Sequence, residues 1–305
     1  MDRSSVDWKG YIPAITTPFD KDRELDPEAF GMLLEWLDAQ GMHGIIVAGT
    51  TGEWFSLSAD ERQMLLRLAG QQLGGKRTLI AGCNAFSAGQ VVAHAELAAE
   101  SGFDGILVTP PPYVVPAENE IYEFYRYVSD SVTIPICVYN WPPGTNVDMS
   151  CELLERLASL DKVVAVKNST GRLDRFLRTF FALKDRVRIF GFGMDELGAT
   201  LVQVHGGDGT MGAGAVLGRE HADFYNELWR GNLAAALRCG ARDRQIMSDW
   251  FTEDLTGRYG SAPAILKEAL NMQDLPGGFP RPPLLELTAE GRGRVHETLK
   301  RLGKV

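Results

Sequence analysis

Eight short apolar runs, each followed by a segment of helical periodicity, fill the first 230 residues of the chain. The runs fall at 11–19, 44–50, 77–83, 104–110, 134–140, 163–168, 187–193 and 208–214. Helical segments follow at 27–40, 58–73, 87–101, 118–131, 150–159, 172–183, 195–205 and 219–230, the second of them opened by the capping-box pattern Ser58-x-x-Glu61. Strands that are apolar on both faces belong in a parallel sheet buried under helices. Eight strand–helix units is the count of a closed (β/α)8 TIM barrel. An open doubly wound sheet usually carries a glycine-rich phosphate turn after its first strand, and "YIPAITTPFDKD" has none. After residue 231 the strands stop, and helices are expected near 232–251, 261–272 and 288–301, broken by "LPGGFPRPP". The expected organisation is a barrel over 1–230 that carries the active site and a C-terminal helical extension over 231–305 packed on it.

Charge and composition narrow the partners. A net charge of −9 argues against nucleic acid or an anionic membrane, since both need basic patches. No apolar run approaches the roughly 18 residues of a membrane span, and "MDRSSVDWKG" lacks the apolar core of a signal peptide. Cys83, Cys137, Cys151 and Cys239 show no CxxC spacing, so reduced core thiols in a cytoplasmic protein are expected. The histidines show no HxH or HxxxH pattern, so no metal is expected.

In such a barrel the active site sits at the C-terminal ends of the strands. Lys167 follows directly on four aliphatic residues in "VVAVKNSTG". Burial lowers the pKa of a lysine, and a neutral amine is the nucleophile that forms a Schiff base with a ketone. The alternative is a lysine that reaches solvent or pairs with a carboxylate such as Asp174. Tyr139, at the end of the fifth run, is placed to shuttle protons, or else to fill the barrel mouth with its ring; Thr50 offers a hydroxyl link to it. "GTTGE" (49–53) can cradle a carboxylate through backbone N–H groups and the Thr50 and Thr51 hydroxyls, or serve only as a strand-to-helix turn. Glu53 reads as an acceptor that holds this loop. In "GMDE" (193–196), Asp195 and Glu196 are candidate acceptors for substrate hydroxyls, while Asp195 also suits the N-cap of the following helix.

Together, "GTTGE", "YNWPPGT" (139–145) and "VVAVKNSTG" resemble the dihydrodipicolinate synthase/N-acetylneuraminate lyase family of pyruvate-handling class I aldolases, and the likeness covers nearly the whole chain. The resemblance implies that Lys167 forms the covalent imine, without any cofactor. It implies that Tyr139 relays protons with Thr50 as partner, and that Thr51 helps bind the carboxylate of pyruvate or of a related 2-oxo acid. It also implies a homotetramer. The synthase has an arginine five residues after the tyrosine, where this chain has Gly144, and a Tyr-Tyr pair that here is reduced to an offset Tyr113. Gly193, Asp195 and Glu196 resemble the sugar-acid branch of the family, and Ser169 fits the hydroxyl found there. Ala213 departs from the serine expected in sialic acid lyase, and Trp141 adds bulk at the mouth. The expectation is therefore aldol cleavage or condensation between pyruvate and an aldehyde, or dehydration of a 2-keto-3-deoxy sugar acid. The alternatives are 4-hydroxy-tetrahydrodipicolinate synthesis from pyruvate and aspartate semialdehyde, a non-catalytic barrel that senses a 2-oxo acid, and a metal-dependent barrel hydrolase or aldolase.

Overall fold

The computed structural model describes residues 1–305. Eight parallel strands alternate with helices. The strands are β1 (Gly10–Tyr11), β2 (Gly44–Val47), β3 (Thr78–Gly82), β4 (Gly105–Val108), β5 (Ile136–Asn140), β6 (Val163–Asn168), β7 (Arg188–Phe190) and β8 (Gly209–Thr210). They hydrogen-bond in the order β1-β8-β7-β6-β5-β4-β3-β2. Ala14, just beyond β1, bridges to Ile46 of β2 on one side and to Ala213 on the other. Ile46 donates to the Pro13 carbonyl at 2.8 Å and Ile15 to the Ile46 carbonyl at 3.1 Å, which brings the two sheet edges together as a TIM barrel.

The first and last strands are shorter than the sequence suggests. Pro13 and Pro18 offer no N–H to a ladder, and the chain through 12–19 stays extended but joins its neighbours only through isolated bridges. In the 208–214 run the ladder ends at Thr210, and Gly212–Gly214 stays joined to the first run only through the Ala213–Ala14 bridge and its two backbone hydrogen bonds.

The helices of the barrel are α1 (Pro27–Ala39), α2 (Ala59–Leu73), α3 (Ala88–Glu100), α4 (Glu118–Ser131), α5 (Pro142–Thr145), α6 (Cys151–Leu157), α7 (Leu173–Leu183), α8 (Glu196–His205) and α9 (Arg219–Trp229). Only α5, a single turn opened by proline, has no counterpart in the sequence reading. Local chemistry starts several of the others. Ser58 accepts from the Glu61 N–H while the Glu61 carboxylate accepts from the Ser58 N–H, a complete capping box. Ser87 and Ser150 cap α3 and α6 in the same way from their side chains.

Inside the barrel, Ile12, Ile46, Ile80, Leu107, Cys137, Ala165, Phe190 and Met211 form a small core, which Trp8 plugs against the start of β4. A second and larger core lies between strands and helices. It runs without a break into α10 (Leu233–Trp250), α11 (Ala262–Asn271) and α12 (Ala289–Arg301) through Ile246, Trp250, Ile265, Leu266, Val295 and Leu299. The four cysteines are free thiols, and no helix is long and apolar enough to cross a membrane.

Candidate active site

The register of two neighbouring strands sets the centre of the site. Tyr139 of β5 pairs with Lys167 of β6, two residues beyond the Cys137–Ala165 pair. Period-two alternation therefore turns Lys167 and Tyr139 to the barrel interior, on the face of Cys137 and Ala165. Lys167 is 7% exposed. Its Nζ lies 4.3 Å from the centre of the Tyr139 ring. Burial pulls the ammonium pKa down from 10.5 to about 8, opposed only by the Cys137 thiol, with no carboxylate near enough to hold the charge. Asp174, the alternative partner, instead pairs with Arg172 at 2.9 Å on the surface. The lysine is thus a desolvated amine with the face of a phenol against it.

Burial also drives the Tyr139 phenol upward, and the Ser169 side chain pulls it back by hydrogen bonding. Ser169, two residues past the lysine, is thus close enough to act on the phenol. The strand ends that carry this trio are clamped by amides: Asn140 Nδ2 donates to Asn168 Oδ1 and to Asp148 Oδ1, both at 2.9 Å. The Asn140 carbonyl accepts from the Ser169 N–H at 2.9 Å. Asn140 and Asn168, each the last residue of its run, act here as structural groups that pattern alone does not single out.

Thr50 and Thr51 lie in the β2–α2 loop and line the same cavity as Lys167. This loop is held from both sides. Thr17 Oγ1 donates to the Gly52 carbonyl at 2.8 Å. Glu53, fully buried and left-handed at φ 55°, receives the Lys267 ammonium of α11 and the Arg281 N–H, the latter at 3.0 Å. Glu53 is therefore an acceptor that fixes the loop to the C-terminal helices.

Gly193 lines the cavity, but the acidic pair after it does not. Asp195 Oδ1 accepts from the Gly198 N–H at 2.8 Å and caps α8. Glu196 projects into solvent with 72% of its side chain exposed. Tyr113 stands outside the cavity in the β4–α4 loop, 91% exposed at φ 82°, beside the exposed Val114 and Val115.

The cavity has a volume of about 490 Å3 and opens beneath the strand ends and the C-terminal helices. Its lining is chiefly apolar, with Phe55, Trp141, Phe192, Met211 and Phe251 among the larger side chains. Lys167 is the only lysine or arginine in it. The Trp141 ring stacks near-parallel to Tyr139 at 6.2 Å. A Cβ built on Gly144 would fall within the Trp141 indole, so the tryptophan occupies the space that a side chain at 144 needs. A buried polar pair on the helical wall, His221 and Asp243, was invisible in the sequence, because its members lie on different helices 22 residues apart.

A lysine desolvated by burial, with a phenol opposite it in the strand pair and a hydroxyl just past the strand end, is an arrangement for imine chemistry. The family model for the dihydrodipicolinate synthetase family matches residues 7–302. The chain belongs to this family. It is 33% identical over 299 residues to a 4-hydroxy-tetrahydrodipicolinate synthase of Chelativorans sp. (strain BNC1), covering 97% of this chain and 99% of the relative. An uncharacterised DapA-like lyase of Rhizobium meliloti is 28% identical, with 97% of both chains covered. Among solved structures, dihydrodipicolinate synthase of Thermotoga maritima superposes with a TM-score of 0.88 at 28% identity, covering 98% of this chain and 100% of that one. A monomeric dihydrodipicolinate synthase variant also gives 0.88 at 28% identity, with both chains fully covered. As a member of this family the chain is a lyase that acts on pyruvate.

The packing of Trp141 over Gly144 gives a direct test. Gly144→Arg should cost about 1–3 kcal/mol by overpacking, read from the denaturant midpoint, and Trp141→Ala in the same chain should recover most of that loss. A stable Gly144→Arg protein with unchanged tryptophan fluorescence would contradict the packing.

Proposed function

We propose that the chain is a Schiff-base aldolase that cleaves or forms the bond between pyruvate and an uncharged hydroxyaldehyde, so that its substrate in the cleavage direction is a 2-keto-3-deoxy sugar acid or a close relative. The observation that carries the mechanism is the desolvated Lys167 amine against Tyr139. In the condensing direction, Lys167 Nζ adds to the pyruvate C2 carbonyl, and the carbinolamine loses water to give a protonated imine. Loss of a C3 proton then yields an enamine, whose C3 attacks the aldehyde carbon. The aldehyde oxygen takes up a proton, and water releases the product from the lysine. Tyr139 carries the protons of these steps, with Ser169 as its neighbour and Thr50 within the same cavity. Thr51 and the N–H groups of the β2–α2 loop bind the pyruvate carboxylate.

The choice of aldehyde rests on charge. With no lysine or arginine besides Lys167 in the cavity wall, a second carboxylate such as that of aspartate semialdehyde would be buried without a cation, which is costly. The relatives named as synthases favour that second substrate; Gly144, with Trp141 in the space beside it, disfavours it. Asp195 caps α8 through Oδ1, Glu196 faces solvent, and neither lines the cavity, which favours other residues for hydroxyl recognition.

We also infer a homotetramer in the cytoplasm. The unpaired cysteines fit a reducing compartment, and the exposed Tyr113–Val115 ridge suits a subunit contact. Sedimentation velocity that gives a monomer at micromolar concentration would rule the assembly out.

Borohydride reduction in the presence of pyruvate should add the three-carbon acid irreversibly to Lys167, as located by peptide mass mapping, and Lys167→Ala should take up none. Absence of an adduct on the unmodified protein would defeat the mechanism, and faster turnover of aspartate semialdehyde than of any 2-keto-3-deoxy acid would defeat the substrate assignment.

A further inference from the structure

His221 and Asp243 form a polar pair in the helical wall of the cavity. His221 Nε2 lies 3.1 Å from Asp243 Oδ1. A carboxylate only accepts, so Nε2 donates, and in the neutral imidazole Nδ1 then keeps its lone pair. The imidazole is 2% exposed and stacked on Tyr11 at 4.4 Å with 5° between the planes. Tyr11 is itself held by its hydroxyl, which donates to the Gly214 carbonyl at 2.8 Å. The ring is therefore fixed in plane and rotation by a stacking partner and a carboxylate.

Nδ1 has no partner. Among the buried side-chain polar atoms that lack one, it is the only one on a residue lining the cavity. Asp243 has no basic partner except His221. The same cavity is lined chiefly by apolar side chains, Val216, Ile246, Met247 and Phe251 among them. Buried acceptors are nearly always satisfied, and a lone acceptor in an apolar wall discriminates strongly for a ligand that brings a donor to it.

We propose that His221, oriented by Asp243, is the specificity residue for the aldehyde half of the substrate, accepting a hydrogen bond at Nδ1 from a hydroxyl on that half. The assignment rests on the aldolase reading above and deepens it: the hydroxyl selectivity that Asp195 and Glu196 do not supply comes from α9 and α10. The negative carboxylate behind the imidazole disfavours an anionic tail at the same point.

The test compares pyruvate condensation with glyceraldehyde against condensation with propanal, alongside borohydride trapping of pyruvate on Lys167. The wild-type protein should favour glyceraldehyde in kcat/KM by about tenfold or more. His221→Gln keeps a donor for Asp243 but removes the acceptor at the Nδ1 position, and it should bring the ratio to within about twofold of unity. His221→Asn keeps an acceptor near Nδ1 and should retain most of the preference. Asp243→Asn, which frees the ring, should lie between. A wild-type protein that traps pyruvate yet shows no preference, including one that turns over neither aldehyde, overturns the proposal. So does a preference that survives His221→Gln in a protein that melts with the wild type and still traps pyruvate. If the wild type forms no pyruvate adduct at all, the failure belongs to the aldolase reading and not to His221 alone.

Discussion

Everything at this site follows from one desolvated ammonium group. Lys167 sits in a strand pair where burial penalises its charge and no carboxylate offsets it, and its pKa falls from 10.5 to about 8. That difference amounts to about 3 kcal/mol of folding free energy. The sign is unfavourable to the native state: the charged form is penalised in the fold, so the cost is full below about pH 8 and vanishes above 10.5. A barrel stabilised only for its own sake would carry an aliphatic residue there, as Val166 and Ala165 do one and two positions earlier. The stability given up is what keeps a usable fraction of neutral amine near neutral pH.

Holding that amine in place requires a rigid frame, and the frame is largely backbone. The Tyr139–Lys167 register fixes which atoms face each other, while Asn140 and Asn168 tie the two strand ends just beyond them. The β2–α2 loop is held from the other side of the molecule. Glu53 accepts from Lys267 and from the Arg281 backbone, so the C-terminal helices are part of the site's geometry as well as a cover for the barrel. Losing one partner of such a buried pair typically costs about 3–5 kcal/mol. The helices therefore cannot shift without disturbing the loop whose Thr50 and Thr51 line the cavity.

The barrel was legible in the sequence because parallel strands buried on both faces leave continuous apolar runs, and helices between them leave a 3.6-residue period. Lys167 was legible for the same reason, as a charge at the end of a run that should have none. What escaped depends on contacts across the chain. Asp195 carries two readings in the sequence, strand-end acceptor and N-cap, and packing decides that its Oδ1 caps the helix behind it. Tyr113 is an aromatic after a strand, yet a left-handed backbone turns it outward. Ser169, just past the end of the neighbouring strand, acts on the Tyr139 phenol, a pairing that only the register of β5 and β6 makes visible. His221 and Asp243 each look like an ordinary polar position on an amphipathic helix, and only the packing of α9 on α10 makes them one buried pair.

The central claim is that Lys167 is neutral enough to act as a nucleophile because of burial alone. NMR titration of the lysine side chains, with the Lys167 resonance assigned by its loss in Lys167→Ala, measures this directly in the ligand-free protein. The account predicts a midpoint of about 8. A midpoint at the ordinary value of 10.5 would show that Lys167 remains a solvated ammonium and would contradict it.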